Sequence, residues 1–352
     1  MIMSPFRFVT CVIGFGIFSA LCGISINYII DPYSVFGTRY FPEFGQPQER
    51  YLKIEHLKNH HDFNTILIGS SRIGVIKTED VDSHFKEAKT YNLTISQANQ
   101  WDVEKHIVWL VKNIPHLSHV IVQIDWLTDF GPDRPAYKLM DEVHPDISGR
   151  SRLEFLMDYL TFFNIEGLKI KLKNNWGGMD LLSYDISKGY WTRPLRDKKI
   201  EMSCEIYVAE EKTFNAKFKQ KKIDVAIINN SIASIASYKD LLDKANVKLT
   251  VLLTPHNHHM LDGIDINDYE KFIRQLANIT EFYNFMYYNK LTKDDCNYYE
   301  TSHYRPLIGK LIVQSLAEQP GKQSESYQYV FKSTVGSHLE FLKTNFSLER
   351  SQ

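Results

Sequence analysis

The chain has 352 residues, 43% hydrophobic and 24% charged, the make-up of a globular protein able to bury a full core. A formal net charge of -1 excludes an overall field that would attract nucleic acid, and the run Lys219, Lys221, Lys222 reads as a solvated face. Nucleic acid is therefore set aside as a partner.

From Phe8 to Ile30 no residue is charged. As a helix this run reaches about 34 Å, enough to cross a hydrocarbon core of about 30 Å. It is too long for the apolar region of a cleaved signal peptide, and no small-x-small site follows it. Residues 1–31 are thus expected to form a single transmembrane anchor. Arg7 and the free amine precede the span, which orients the bulk of the chain away from the cytoplasm by the positive-inside rule. Cys11 and Cys22 fall inside the span. Cys204 and Cys296 remain for the soluble part; their pairing is left open by the sequence.

Residues 32–60, rich in Pro, Gly, Tyr and charge, read as a stalk or wrapping segment. Strand and helix patterns then alternate through a domain at 61–317. Short apolar runs at Thr65–Ile68, Thr90–Ile95, His119–Ile124 and Val247–Leu253 predict buried strands, with a fifth at Tyr283–Tyr288. The near-continuous Val and Ile of His119–Ile124 mark a parallel sheet covered on both faces. Helical spacing recurs at Asp102–Asn113, Asp268–Asn278 and Pro306–Leu316, the last opening on a proline whose missing N–H costs nothing there. An insertion at 131–246 interrupts the alternation. Within it Ser151–Lys173 looks helical, whereas Asn174–Gly178 and Gly189–Pro194 look like loops. Residues 318–352 form a polar tail.

This alternation predicts an α/β fold with a doubly wound, flavodoxin-like parallel sheet between two helical layers, preceded by one transmembrane helix. Chemistry in such sheets sits at the carboxyl ends of the strands. Two segments stand out at those ends. Gly69-Ser70-Ser71-Arg72 puts a serine on a tight turn after the first strand. Glu300-Thr-Ser-His303 comes 232 positions later and just before the last helix, in what reads as a loop. A carboxylate three residues before a histidine can accept its Nδ1–H and leave Nε2 free to take a serine proton.

Together these segments resemble the SGNH/GDSL hydrolase superfamily, whose first block is G-D-S and whose last is D-x-x-H. The resemblance makes Ser71 the nucleophile, His303 the base, Glu300 its orienting acid, and puts Ser70 at the family's Asp position. Tyr91-Asn-Leu-Thr-Ile-Ser-Gln97 stands where the family's second block supplies a glycine N–H to the oxyanion hole. No glycine is present, so the Ser96 or Gln97 N–H is the candidate donor. The third block, G-x-N-D, is replaced by Asp125-Trp126. A membrane-anchored branch of the superfamily is a closer likeness. It includes the D-alanine transfer protein of teichoic acid synthesis and alginate-type O-acetyltransferases, on the strength of the span, Asp31-Pro-Tyr-Ser-Val-Phe36, the G-S-S-R turn and the late acid–histidine pair. The rival α/β-hydrolase elbow, G-x-S-x-G, is not met, since Ile73 holds its fifth place and Gly74 comes one late.

The resemblance implies acyl transfer, O-acetyl above all, or ester hydrolysis on a cell-envelope carbohydrate at a bacterial inner membrane. The soluble domain is then extracytoplasmic, a membrane-bound acyl-donor protein is a partner, and no cofactor is needed. A non-catalytic envelope assembly protein with a degenerate site is a second reading, and a metal-dependent hydrolase built on the histidines at 256–259 is a third. Around the triad, Arg72 either binds an anionic substrate or braces the turn against Asp125. His256, with His258 and His259, reads as a polar substrate wall rather than a metal site, because no carboxylate or cysteine pattern of metal-ligand kind accompanies them in the sequence. Trp126, Trp176 and Trp191 are candidates for stacking on sugars or for filling a core.

Overall fold

A computed structural model of the chain describes residues 4–42, 47–125, 139–176, 182–220, 222–317, 331–332 and 343–345. In chain order the first elements are α1 (Pro5–Ile30), α2 (Glu49–Asn59), β1 (Thr65–Gly69), α3 (Thr78–His84), β2 (Thr90–Thr94), α4 (Gln100–Asn113) and β3 (His119–Ile124). Three helices follow, α5 (Pro145–Ser148), α6 (Arg152–Thr161) and α7 (Ile165–Asn175), then the two-residue strands β4 (Ser183–Tyr184) and β5 (Trp191–Thr192). Next come α8 (Pro194–Met202), α9 (Cys204–Glu210), α10 (Val225–Lys244), β6 (Lys248–Leu253), α11 (His258–Leu261), α12 (Ile266–Ala277) and β7 (Phe282–Asn284). The chain closes with α13 (Lys290–Lys293), β8 (Tyr298–Glu300), β9 (His303–Tyr304), α14 (Pro306–Ala317) and β10 (Phe331–Lys332). The chain divides into two units, residues 1–55 with 136–181, and residues 56–135 with 182–352.

In the first unit α1 is the one described helix long and apolar enough to cross a membrane, with a mean hydropathy of 2.2 over its most apolar window. Its Ser4 cap accepts the Arg7 N–H, and Pro5 opens the first turn. It ends at Asp31, in the left-handed region at φ 47°, whose carboxylate accepts the Phe36 N–H at 3.1 Å. That bond folds the Asp31–Phe36 segment back into a small aromatic core of Tyr33, Val35, Tyr51, Phe155 and Tyr159. The buried Gln48 amide donates to the carbonyls of Leu139 and Glu142. Of the two readings of 32–60, its described residues fit the wrapping segment: Tyr33, Val35 and Tyr51 pack in this core, and α2 occupies the end of the segment. Ser151–Lys173 is two helices, α6 and α7, with Asn164 capping the second by accepting the Gly167 N–H.

The second unit holds a six-stranded sheet in the order β10-β7-β6-β3-β1-β2. Five strands run parallel and β10 pairs antiparallel to β7. Taking the parallel strands in chain order, the arrangement is 2-1-3-4-5, that of flavodoxin-like doubly wound sheets. Every residue of β1, β2 and β3 is buried, as the apolar runs require. α4 packs on α10 and α10 on α12, while α3 packs on α14, so helices form two separate groups around the sheet. β7 is shorter than the run Tyr283–Tyr288 suggests, because the chain leaves the sheet after Phe285, whose N–H still bonds the Leu253 carbonyl at 2.9 Å, and the Asn284 carboxamide accepts the Met286 N–H. Cys204 and Cys296 form a disulfide with Cα atoms 5.7 Å apart. Of the expected loop 174–178, Asn174 and Asn175 are the last residues of α7 and 177–178 lie outside the described residues, as do Trp126 and most of 318–352.

Candidate active site

The sheet order reverses between β1 and β3, and the crevice at such a point receives ligands in doubly wound sheets. The turn that leaves β1 lies there. Gly69 ends the strand because Gln123 on β3 leaves no room for a side chain: a Cβ on Gly69 would stand 2.5 Å from Gln123 Oε1. That same oxygen accepts the Ser70 N–H at 2.7 Å and the Ser70 hydroxyl at 3.1 Å. Ser70 is fully buried and also bonds Asp125 Oδ2 at 3.2 Å. A short 3₁₀ turn, Ser71–Val75, starts immediately and tips the Ser71 side chain toward solvent. The Asn92 amide of β2 fastens the far end of this turn, donating to the carbonyls of Ile73 and Ile76 at 2.9 Å each. The Thr94 hydroxyl holds the Ser70 carbonyl at 2.7 Å.

Beneath the turn the Arg72 guanidinium pairs with the Asp125 carboxylate, both buried. His256, after β6, is fully buried with Nε2 3.3 Å from Asp125 Oδ1. Burial, reinforced by the Arg72 charge, holds its imidazole well below the usual histidine range and so neutral. Of the two readings of Arg72 and Asp125, the brace is the one found. Ser70, Arg72, Asp125 and His256 are thus not a substrate-facing wall, since the strand ends that carry them turn their polar groups inward on one another.

The acid–histidine segment is a hairpin rather than a loop. β8 and β9 pair antiparallel, Tyr298 opposite Tyr304 and Glu300 opposite His303. The three-residue spacing is that of a two-residue turn, which sets the carboxylate and the imidazole directly across from each other on one face. Buried Tyr298 and Tyr304 anchor the hairpin below. Arg305 fixes it to α8 through Asp197 at 2.8 Å, and the 204–296 disulfide ties the preceding segment to α9.

This hairpin delivers His303 Nε2 to 2.8 Å from Ser71 Oγ. Nδ1 of the same ring hydrogen-bonds Glu300 Oε1, which also accepts the Ser302 hydroxyl at 3.1 Å. Glu300 Oε2 faces Arg196 Nη1 at 3.4 Å. Burial works to raise the Glu300 pKa, but the hydrogen bond and charge of His303 and the charges of Arg193 and Arg196 outweigh it. The carboxyl therefore lies below its usual range and stays ionised. Trp191 meets the His303 ring edge to face, with centroids 5.5 Å apart, and is almost wholly buried, so it is a wall for the imidazole and not an exposed sugar platform. Gly74 makes room for it: a Cβ there would stand 2.1 Å from Trp191 Nε1. Gly189–Pro194, which reads as loop, therefore carries β5 and the ring that flanks the histidine. Trp176 is 75% exposed on the other unit.

Sequence reasoning had no hold on Gln123, Asn92, Arg193 or Arg196. Gln123 offered a signal: a lone amide in a strand of Val and Ile must find buried partners. Ser96 is half-buried, and Gln97 is exposed with a left-handed φ of 57°. That backbone is the one for which glycine is the natural choice. The Ile95 N–H bonds the Gly69 carbonyl at 2.9 Å, so the loop bearing Ser96 and Gln97 runs beside the serine turn. No protein-family model matches the chain, and a search of curated proteins finds no match.

Proposed function

We propose that this chain is a membrane-anchored serine acyltransferase or esterase built on an SGNH-type fold. The carrying observation is the relay Ser71 Oγ–His303 Nε2, His303 Nδ1–Glu300, assembled from segments 232 positions apart at the carboxyl edge of a parallel sheet. In the reaction Ser71 Oγ bonds to the acyl carbon while its proton passes to His303 Nε2. Glu300 stabilises the imidazolium. The ester C–O bond then breaks, and the departing alcohol leaves with that proton. In the second half His303 removes a proton from a sugar hydroxyl or from water, whose oxygen takes the acyl group; the bond from the acyl carbon to Ser71 Oγ breaks, and His303 returns the proton to that oxygen. The N–H groups of Ser71 and Gln97 are the oxyanion donors of this reading, the left-handed backbone of Gln97 standing in for the superfamily's glycine.

The substrate class is an O-acylated or acyl-accepting carbohydrate of the bacterial envelope, with the soluble part outside the cytoplasm and a membrane-bound protein as acyl donor. Support for this part is the long apolar α1 and the likeness of the motifs to envelope acyltransferases. Turnover of a chromogenic acetyl ester by full-length protein in detergent tests the chemistry. Wild type is expected to show a burst and turnover that His303→Ala lacks. Equal rates for the two would remove the acyl-transfer reading in favour of a non-catalytic assembly role. An alkaline phosphatase fused after Gln352 is expected to be active; an inactive fusion beside an active cytoplasmic reporter would reverse the topology.

A further inference from the structure

His256, His258 and His259 share one loop after β6, but they part ways in the fold. His256 turns down to Asp125, whereas His258 and His259 turn outward with their ring centroids 3.9 Å apart. Both face a carboxylate that no sequence spacing announces. Asp295, from the turn before the β8–β9 hairpin, stands with Oδ1 3.4 Å from His258 Nε2 and Oδ2 3.7 Å from His259 Nε2. One ligand atom from each of the three residues lies within 4.8 Å of the others.

These separations have a chemical meaning. Around a tetrahedral zinc ion with bonds of about 2.0–2.2 Å, neighbouring ligand atoms stand about 3.3–3.5 Å apart. The edge from His258 Nε2 to Asp295 Oδ1, at 3.4 Å, already matches that spacing, and His259 Nε2 stands slightly beyond it, 3.7 Å from the other carboxylate oxygen. Drawing the three ligand atoms onto one ion takes movement of side chains that are 22–29% exposed. Support behind the ligands is in place as well. The fully buried Asn257 donates Nδ2 to Asp295 Oδ1 at 2.7 Å and accepts the His259 N–H at 3.1 Å, holding both sides of the cluster in register. The disulfide at Cys296 pins the turn that carries Asp295.

We propose that His258, His259 and Asp295 bind a divalent transition-metal ion of the zinc class, with a fourth position open to water or to an anionic oxygen of a ligand. The donor set of two imidazoles and one carboxylate suits zinc over calcium or magnesium, which favour oxygen-only shells. The site stands at the carboxyl end of β6, on the sheet edge that carries Ser71, and does not depend on the serine reading.

Full-length protein in detergent, stripped with a chelator and titrated with Zn²⁺ against a colorimetric competitor, tests this directly. Wild type is expected to take one equivalent, and Co²⁺ in its place is expected to give the strong visible absorption of a tetrahedral site. His258→Gln, His259→Gln and the near-isosteric Asp295→Asn are each expected to weaken binding at least about tenfold, and Asn257→Ala about tenfold. His56→Gln, in the stacked pair with His60, is the control expected to change nothing. Circular dichroism and melting accompany each variant, so that only folded proteins are compared. Wild type that takes no Zn²⁺, or folded His258, His259 and Asp295 variants that bind as wild type does, would overturn the proposal.

Discussion

Two layers meet at the turn after β1. In the lower one, Ser70, Gln123, Arg72, Asp125 and His256 are each at most 3% exposed and are joined by hydrogen bonds and ion pairs among themselves. In the upper one, Ser71, Glu300 and His303 are half-buried and lie in a line that ends on a serine hydroxyl. Adjacent serines thus fall into different chemistries. The Ser70 hydroxyl is spent inside the protein, and the Ser71 hydroxyl is held by a base at the surface. The lower layer sets where the turn stands; on the proposed reading the upper layer reacts and is free of that task. Stability should therefore follow the lower layer and activity the upper, and variants can separate them.

The largest expected effects are on turnover in the upper layer. His303→Ala is expected to cost about 10⁵–10⁶-fold and Glu300→Gln about 10⁴-fold, since the glutamine variant keeps the base and loses its orienting charge. Steady-state kinetics with melting measured alongside checks this, and both variants should stay folded. Breaking the lower layer should do the opposite. Arg72→Met strands a buried carboxylate and is expected to cost about 3–5 kcal/mol in chemical denaturation. Adding Asp125→Leu should restore most of that, because no unpaired charge remains.

A smaller effect comes from the Glu300 carboxyl. Its folded pKa is depressed, so the stability it contributes is present above its unfolded value of about 4.3 and is lost as pH falls through the lower folded value. Denaturation midpoints of wild type should consequently fall more steeply below pH 4 than those of Glu300→Gln; parallel curves would mean that Glu300 carries no such linkage. The smallest change is expected at Gln97. Gln97→Gly relieves a left-handed backbone and should raise stability by about 0.5–1 kcal/mol, with ester turnover kept because only its N–H is used. Loss of turnover would instead give the Gln97 side chain a role.

Much of the sheet was legible because buried parallel strands are short apolar runs, as in Ile66–Ile68 and Val120–Val122. The serine turn and the Glu300–His303 pair were legible because acid-to-base spacing is local. What escaped depended on contacts distant in the chain. The hairpin β8–β9 was read as loop, since strands of three and two residues leave no periodicity to count. Trp191, Arg193 and Arg196 reach the triad from the insertion, and nothing at 189–196 announces a partner at 300–303. Asp295 meets His258 and His259 only through the fold, and no spacing in the sequence joins position 295 to 258 and 259. The insertion itself is shared between two units, a division that composition does not mark.

The most direct measurement is fluorophosphonate labelling of the full-length protein, with the modified residue mapped by peptide mass spectrometry, in wild type, Ser70→Ala and Ser71→Ala. Wild type and Ser70→Ala should both label at Ser71, Ser70→Ala melting lower by a loss of about 1–2 kcal/mol of stability. Ser71→Ala should not label while keeping the wild-type melt. Labelling of Ser71→Ala at Ser70, or no labelling of folded wild type, would contradict the assignment of the two serines to separate layers.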